Sequence, residues 1–289
     1  MPERPRYSNP HASTLADLDR LECYELCVQS PRHVAAFLRA VHGNHPVTLR
    51  EDFCGTAALS RRWLDDASRA GEKADAIAVD LDPTCIERAS RDQPAGLELR
   101  VGDCRATEFR DGALADRKAD ACDVVFVGNF SIGYLQTRAE LLSYLQLSRE
   151  RLSRGSGGFG GGVFVCDTYG GASAFKLGSL TRKHPSRTGE IIHYHWAHEA
   201  ADPLTGMVTN SISFKVERDG EIVQELPRAF VYEWRLWPVA ELREAMLEAG
   251  FASTEVYTDC NIAPGETPVP VTDPAELKDD WIVLLAARV

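Results

Sequence analysis

The chain of 289 residues has no long hydrophobic run. A membrane-spanning helix needs roughly 18 uninterrupted apolar residues, and no stretch approaches that length. Its first residues, MPERPRYSNP, carry neither the apolar segment nor the small-residue cleavage site of a secretory signal. These absences predict a soluble cytoplasmic protein. A hydrophobic content of 44% is still enough for a full core, in one large domain with an embellishment or in two modest domains.

Positive charge is also scarce: 32 lysines and arginines stand against 43 aspartates and glutamates, which gives a net charge of -11. Binding to a nucleic-acid backbone requires a basic surface, so nucleic acid is not expected as a partner. An acidic surface favours the approach of a cationic ligand, although acidity also serves solubility alone.

The eight cysteines show neither the paired spacing of a zinc site nor the density of a disulfide-stabilised fold. Most of them stand beside apolar residues, which predicts reduced thiols in the core. Cys23 and Cys27 are one helical turn apart, but two thiols are an incomplete metal site. We therefore predict no bound metal.

Apolar periodicity divides the chain into alternating helices and strands. Lead-in helices are predicted over 15–28 and 33–41. Strands are then predicted at 47–52, 76–79, 97–101, 121–127, 163–166, 253–257 and 281–287. Helices follow several of these strands, and right-handed crossovers then produce a doubly wound, mostly parallel seven-stranded α/β sheet. In such a sheet the ligand crevice lies outside the carboxyl ends of the strands.

Between residues 190 and 237 the pattern changes to a period of two, as in IIHYHWAH and MVTNSISFKV. This alternation, with the turns DPLTG and RDG, predicts an antiparallel β insertion before the last helix. The predicted divisions are an N-terminal arm with lead-in helices (1–46), an α/β core (47–189), the insertion (190–237) and a C-terminal completion of the core sheet (238–289).

The segment LREDFCGTAALS (49–60) places a single glycine, Gly55, between an apolar strand and a helix. Such a turn points backbone N–H groups and the positive end of the helix dipole at one position, which suits an anionic ligand group. A dinucleotide site requires three glycines for close approach of a pyrophosphate. Phe53 and Ala57 occupy two of those positions, which argues against a nicotinamide-dependent oxidoreductase.

Within this segment, EDFCGTA (51–57) resembles the E/D-x-x-x-G-x-G turn of the class I S-adenosylmethionine-dependent methyltransferases, with two of the usual glycines replaced. The segment DVVFVGNFSIGYL (123–135), followed by VFVCDTYGG (163–171), resembles more narrowly the small-molecule branch typified by glycine N-methyltransferase. Together with the antiparallel insertion, these segments extend the resemblance over residues 49–289.

The resemblance implies S-adenosylmethionine as the methyl donor and S-adenosylhomocysteine as the product. It implies that the N–H groups after Gly55 hold the methionine carboxylate, that Glu51 holds the α-amino group and that Asp80 accepts the ribose hydroxyls. Asp82 competes for the ribose role, but its place before a proline makes it a helix N-cap. The predicted cofactor-binding residues are Glu51, Phe53, Cys54, Gly55, Thr56, Asp80, Leu81, Asp103, Cys104, Arg105, Asn129, Phe130 and Ser131.

One role implied by the resemblance and one candidate drawn from helical spacing have alternatives. Asp103 either contacts the adenine amino group, with the Cys104 N–H on a ring nitrogen, or is a turn-forming aspartate at a strand end. Tyr24 either contacts a ligand or packs in the core.

The residues predicted to contact the methyl acceptor lie mainly at the strand ends and in the insertion. The insertion is expected to act as a lid. The catalytic candidates are Asn129, Tyr134 and His195. The substrate-binding candidates are Tyr24, Tyr134, Tyr169, His193, His195, Arg235 and Trp237. The two histidines alternate onto one strand face, where they flank a substrate, bind a metal or face solvent, whereas His198 is expected to point the other way unless the strand bulges. The aromatic residues contact substrate or form the insertion's own core.

The leading hypothesis is a methyltransferase acting on a nitrogen or oxygen of a small molecule, with a homo-oligomer as one option. Methylation of RNA, DNA or protein is an alternative. The acidic charge and the absence of a D/N/S-P-P-Y/F/W motif after the fourth strand argue against it. A non-catalytic protein that binds the same nucleoside is a further alternative.

Overall fold

A computed structural model describes residues 17–43, 45–106, 121–153, 161–262 and 266–289. The α-helices are α1 (Arg20–Cys27), α2 (Pro31–His42), α3 (Ala58–Ala70), α4 (Pro83–Ser90), α5 (Arg138–Arg151) and α6 (Val239–Glu248). The strands are β1 (Thr48–Asp52), β2 (Asp75–Asp80), β3 (Leu97–Val101), β4 (Val124–Val127), β5 (Val163–Gly171), β6 (Gly178–Pro185), β7 (Ile191–Asp202), β8 (Met207–Arg218), β9 (Glu221–Arg235), β10 (Ser253–Tyr257) and β11 (Asp280–Arg288). No helix in these ranges is long and apolar enough to cross a membrane.

The larger sheet has seven strands in the order β10-β11-β5-β4-β1-β2-β3. Strands β1 to β5 run parallel, and β11 is antiparallel to both β5 and β10. Helices α2, α3 and α4 cover one face, while α5 and α6 cover the other. This architecture confirms the predicted doubly wound, mostly parallel sheet. The strand order reverses between β1 and β4, which places a ligand crevice beside their carboxyl ends.

The smaller sheet is antiparallel in the order β6-β7-β8-β9. Its first strand begins at Gly178, so the predicted lower boundary of the insertion, residue 190, falls after that strand. The cause is that β6 is an exposed edge strand, which has no buried face and therefore no apolar alternation to read. The wider division of the chain into four segments stays a prediction.

Helix α1 joins the two sheets. The Arg88 guanidinium of α4 lies within ion-pair distance of three carboxylates on α1 and its N-cap: Asp19, Glu22 and Glu25. On the other side of the helix, the Tyr24 ring packs on Phe230 of β9 with ring centroids 5.0 Å apart. The smaller sheet is thereby held near the carboxyl ends of the parallel strands.

Candidate cofactor and acceptor site

The turn after β1 has left-handed backbone at three positions, of which only one is a glycine. Phe53, Gly55 and Ala57 have φ angles of +57°, +54° and +56°, all in the left-handed region. Two hydrogen bonds hold this shape, because the Cys54 N–H donates to the Val79 carbonyl at 3.0 Å and the Ala57 N–H donates to the Cys54 carbonyl at 2.9 Å. Phe53 and Ala57 therefore adopt the left-handed backbone that glycine favours.

Tertiary packing offsets the cost of this backbone, which is about 1–2 kcal/mol for each non-glycine residue in the left-handed region. The Phe53 ring stacks on Tyr134 at 5.9 Å and meets the edge of Tyr144 at 6.5 Å. Ala57 is completely buried. Both side chains thus contribute apolar contacts where a glycine would contribute none.

The first turn of α3 presents features that fit an anionic group. The N-cap residue Ala57 supplies no side-chain cap to the helix. The buried hydroxyl of Thr56 has no hydrogen-bond partner within the described ranges. A buried polar atom without a partner is costly unless a ligand or water satisfies it. Together with the positive end of the helix dipole, this arrangement suits a carboxylate.

Glu51 is buried at the end of β1 and ties that strand to α3. Its Oε2 accepts hydrogen bonds from the Ser60 N–H at 2.9 Å and from the Ser60 hydroxyl at 2.6 Å. Burial raises the pKa of Glu51 to about 7. The predicted contact of Glu51 with an α-amino group stays a prediction, because this carboxylate already serves the helix.

Asp80 at the end of β2 links two turns of the crevice. Its Oδ2 accepts the Gly55 N–H at 2.7 Å and its Oδ1 accepts the Asp82 N–H at 2.9 Å. Removal from water raises the pKa of Asp80 above its ordinary value. Asp82 accepts the Thr84 N–H at 2.8 Å and caps α4, as predicted. The exposed side chain of Leu81 provides an apolar surface next to the Asp80 carboxylate.

The segment after β3 has its own ion pair. Arg105 binds Asp103 at 2.7 Å and reaches Glu140 of α5 at 3.3 Å. Hydrogen bonding from Arg105 lowers the pKa of Asp103. Arg151, at the end of α5, donates to the carbonyl of the buried Cys104 at 2.9 Å and so anchors this segment to the core. The adenine contacts of Asp103 and Cys104 stay predictions.

The turn after β4 is bound to β5 through a carboxylate, Asp167, which is not among the predicted site residues. Asp167 accepts the Asn129 N–H at 2.9 Å and the Phe130 N–H at 2.6 Å. The Ser131 N–H donates to the Gly128 carbonyl and closes the turn. The sequence does carry a signal for Asp167, because it directly follows the predicted strand 163–166, and in the structure it comes just after the last residue of β5 that pairs with β4, Cys166.

Aromatic rings fill the space between the crevice, α1 and the inner face of the smaller sheet. We call this group the aromatic cluster; it consists of Tyr24, Phe130, Tyr134, Tyr169, Tyr194, Trp196, Phe230, Tyr232 and Trp234. Ring centroids lie 4.9 Å apart in the Phe130–Tyr169 pair and 4.4 Å apart in the Tyr232–Trp234 pair. The structure thus brings together the predicted residues Tyr24, Tyr134 and Tyr169. Phe130 was predicted as a cofactor-binding residue, and Trp196 belongs to the insertion, whose aromatic residues were expected to contact substrate or to form its core. Tyr194, Phe230, Tyr232 and Trp234 were not singled out, although the period-two alternation of β7 and β9 already placed them on common faces.

Two polar side chains lie on the same inner face and were also missed. Asn210 of β8 is completely buried and donates from Nδ2 to the Tyr169 hydroxyl at 3.1 Å, while its Oδ1 has no partner within the described ranges. His198 of β7 stands opposite Asn210 in the strand register, and its Nε2 is buried and likewise unpartnered there. Desolvation lowers the pKa of His198, which favours the neutral imidazole.

Comparison with known proteins finds no matching protein-family model and no matching curated protein. Solved structures do match. A S-adenosylmethionine-dependent methyltransferase from Clostridium acetobutylicum is 17% identical, with coverage of 92% of this chain and 96% of that one and a TM-score of 0.61. The amino pentose methyltransferase CalS10 from Micromonospora echinaspora is 17% identical over 96% and 100% of the two chains, with a TM-score of 0.63. The sugar N-methyltransferase KedS8 from Streptoalloteichus is 16% identical over 100% and 99%, with a TM-score of 0.62.

The chain has the methyltransferase fold. The resemblance stated from EDFCGTA and the later segments is confirmed at that level, since similarity at this identity establishes the fold and not the chemistry. The crevice described above coincides with the general ligand position of such folds, outside the carboxyl ends of the parallel strands.

In this methyltransferase fold, His193 and His195 lie away from the crevice. They share one face of β7, as predicted, but it is the outer face, opposite to that of Tyr194 and Trp196. His195 Nδ1 is 3.0 Å from the Thr181 hydroxyl, and His193 Nε2 is 2.6 Å from a carboxylate oxygen of Glu217. The structure therefore does not bring either histidine to the site. His198 points to the inner face as expected, because the bulge in β7 comes after it. No cluster of three or more metal-ligating side chains occurs among the described residues.

Trp237 and Arg235 were predicted to contact substrate, but in the structure they contact each other and neighbouring parts of the protein. Trp237 is fully buried in the core of the methyltransferase fold, and its Nε1 donates to the Leu135 carbonyl at 2.9 Å. The Arg235 guanidinium lies over the Trp237 ring at 3.9 Å and reaches Glu241 at 3.4 Å. Both residues hold the end of β9 against α6 and the turn after β4. Trp237 is thus a core residue, and Arg235 is a partly exposed residue that packs on its ring.

Trp237→Phe is expected to lower the free energy of unfolding by about 1–3 kcal/mol, because it leaves the buried Leu135 carbonyl without its donor. Urea denaturation followed by circular dichroism measures the change. Arg235→Lys serves as a comparison, since it keeps a positive charge but loses the planar stacking on the ring. A Trp237→Phe variant of unchanged stability would contradict a structural role for this side chain.

Proposed function

We propose that the protein is a S-adenosylmethionine-dependent methyltransferase that acts on a nitrogen or oxygen of a small molecule. The observation that carries this proposal is the left-handed backbone at residues 53, 55 and 57, which fits a glycine-rich cofactor loop although two glycines are replaced. Asp80 supports it, because its carboxylate joins this loop to the end of β2.

The residues present fit the donor in the following way. The N–H groups after Gly55 and the hydroxyl of Thr56 hold the methionine carboxylate, and Asp80 accepts the ribose hydroxyls. Leu81, Asp103 and the segment beside it surround the adenine. S-adenosylmethionine supplies a methyl group that its own sulfonium activates. The protein therefore has to bind, orient and desolvate the donor and the acceptor. It does not have to generate the electrophile.

The chain's contribution to the reaction is orientation of a neutral nucleophile, for which effective molarities on the order of 10⁵ to 10⁸ M are attainable. Asn129 and Tyr134 are the catalytic candidates that lie at the crevice. The aromatic cluster excludes water, and its ring faces attract apolar or cationic groups of an acceptor. Asn210 Oδ1 and His198 Nε2 accept hydrogen bonds from its amino or hydroxyl groups. His198 thus replaces His195 as the histidine of this proposal.

Titration calorimetry of the full chain with S-adenosylmethionine and with S-adenosylhomocysteine is the first test, and binding of both is expected. Incubation with labelled S-adenosylmethionine and a metabolite extract follows, with mass spectrometry for a product heavier by one methyl. No binding to the wild-type chain would contradict the proposal. Binding without any methylated product favours a non-catalytic nucleoside-binding protein, and label found in RNA or protein contradicts the small-molecule acceptor.

His195→Ala is expected to change the dissociation constant for S-adenosylmethionine by less than about twofold and the free energy of unfolding by less than about 0.5 kcal/mol, as for most surface substitutions. The physical reason is that His195 faces outward and contacts Thr181. Calorimetry and urea denaturation check the two quantities. Tyr134→Ala is the opposing variant, because its ring stacks on Phe53 of the cofactor loop, and it is expected to weaken binding.

A further inference from the structure

The turn after β4 adopts a backbone that its residues disfavour. Asn129 and Phe130 are consecutive and have φ angles of +55° and +62°. Asparagine visits the left-handed region readily, but a bulky aromatic residue does so only when its surroundings impose it. A second constraint must therefore hold Phe130 in this conformation.

Asp167 supplies that constraint with both of its carboxylate oxygens. Oδ2 accepts the Asn129 N–H at 2.9 Å, and Oδ1 accepts the Phe130 N–H at 2.6 Å. Hydrogen bonds to an ionised acceptor are stronger than neutral ones, and two of them on adjacent amides fix both peptide planes at once. An amide side chain cannot replace this arrangement, because its NH₂ group is a donor.

The same turn contacts the aromatic cluster. The Phe130 ring meets Tyr169 of β5 at 4.9 Å and Trp234 of β9 at 6.0 Å. The turn is therefore fixed by Asp167 on its backbone side and by rings of both sheets on its side-chain side. A change at Asp167 is transmitted to the position of Asn129 and to the packing of the aromatic cluster.

We propose that Asp167 is a positioning residue of the cofactor site, which holds the amides of Asn129 and Phe130 so that the turn after β4 faces the methyl donor. This inference rests on the proposed function. Asp167 itself need not touch the donor, because both of its oxygens are engaged by the turn. Its effect on the site is exerted through the residues that it holds.

The arrangement makes the site sensitive to pH. Desolvation raises the pKa of Asp167 to about 7. Its electrostatic neighbours are the Tyr24 hydroxyl on α1, the Cys260 thiol after β10 and the adjacent Cys166 thiol. A protonated carboxyl carries one O–H donor, so it cannot accept both amides as the ionised form does. As the pH rises through about 7, Asp167 loses its proton, both bonds form, and affinity for the donor increases.

Asp167→Asn tests the proposal, with Asp280→Asn as the matched control. Asp280 makes the same type of contact, because it accepts the Ser173 N–H at 2.9 Å in a turn after β5 that bears no cofactor residue. Calorimetry at pH 8 with S-adenosylhomocysteine is expected to show a dissociation constant about tenfold higher for Asp167→Asn, in line with the loss of a charge-assisted hydrogen bond. The change for Asp280→Asn is expected to stay below about twofold, as for a surface substitution remote from the site.

Nuclear magnetic resonance provides a second measurement, the pH dependence of two amide resonances, which would not change if Asp167 had only a structural role. The amide resonances of Asn129 and Phe130 are expected to titrate together near pH 7 in the wild-type protein and to be insensitive to pH in Asp167→Asn. Equal affinity of the wild-type and Asp167→Asn proteins, or unchanged amide titration in that variant, would overturn the inference while leaving the proposed function intact. Failure of the wild-type chain to bind either S-adenosylmethionine or S-adenosylhomocysteine would contradict both this inference and the proposed function.

Discussion

Asp80→Ala is expected to weaken the binding of S-adenosylmethionine by at least about tenfold, equivalent to about 1.4 kcal/mol or more. Two reasons lead to this expectation, one from the proposed function and one from the structure. The proposed contacts to the ribose hydroxyls are charge-assisted, and such bonds contribute about 1.5–3 kcal/mol each. In addition, the variant loses the bonds from the Gly55 N–H at 2.7 Å and the Asp82 N–H at 2.9 Å, which hold two turns together. Calorimetry measures the affinity, and thermal denaturation confirms that the variant is folded.

Asp75→Ala is the matched control for this experiment. Asp75 opens the same strand, β2, but lies at its opposite, amino end and is exposed there. Its replacement is expected to change the affinity by less than about twofold. Asp80→Asn adds a graded step, because the amide oxygen retains one of the two backbone bonds. A folded Asp80→Ala protein that binds as tightly as the wild type would show that this carboxylate does not hold the ribose.

The sequence allowed the relative positions of the proposed cofactor residues to be predicted, because parallel strands bring their carboxyl ends together. Once β1, β2 and β4 were recognised, Asp80 and Asn129 had to lie near the turn at Gly55, whatever the rest of the chain did. The N-cap at Asp82 was equally local, since a proline in the first helical turn identifies it. Local signals and strand order were sufficient for these residues.

The acceptor half could not be predicted in the same way. Period-two alternation correctly placed His193 and His195 on one face of β7, but it cannot say which face is turned inward. That choice depends on contacts with α1 and the turn after β4, which lie far away in sequence. The same reasoning explains Trp237: an aromatic residue at a strand end has the same appearance whether it contacts a substrate or fills the core.

The backbone conformation at Phe53 and Ala57 could not be predicted from the sequence either. Residue type argues against left-handed backbone at either position, and the structure adopts it at both. The reason is tertiary: neighbouring strands and rings hold the loop, so the local preference is overridden. Strain of this kind concentrates at functional sites, where the surrounding structure determines the backbone.

Ala57→Val is expected to lower the free energy of unfolding by about 3–5 kcal/mol, the second large effect. A β-branched residue is a strong outlier at a φ of +56°. The extra methyl groups also enter a completely buried position, where overpacking costs about 1–3 kcal/mol. Ala57→Gly, in contrast, relieves the left-handed strain while it loses one buried methyl group, so its stability is expected to stay within about 1 kcal/mol of the wild type. Urea denaturation measures all of these variants.

Ala67 provides the matched pair, because it is 2% exposed and lies within α3 with helical backbone. Ala67→Val meets the same overpacking without left-handed strain, so it is expected to be less destabilising than Ala57→Val by about 2 kcal/mol. Ala67→Gly is expected to cost about 1–2 kcal/mol through lost helix propensity and a lost methyl group. The sign of the difference between the two glycine variants therefore reports the backbone conformation alone. Equal losses at both positions would show that residue 57 is not held in the left-handed region, and the case for a retained cofactor loop would fail with it.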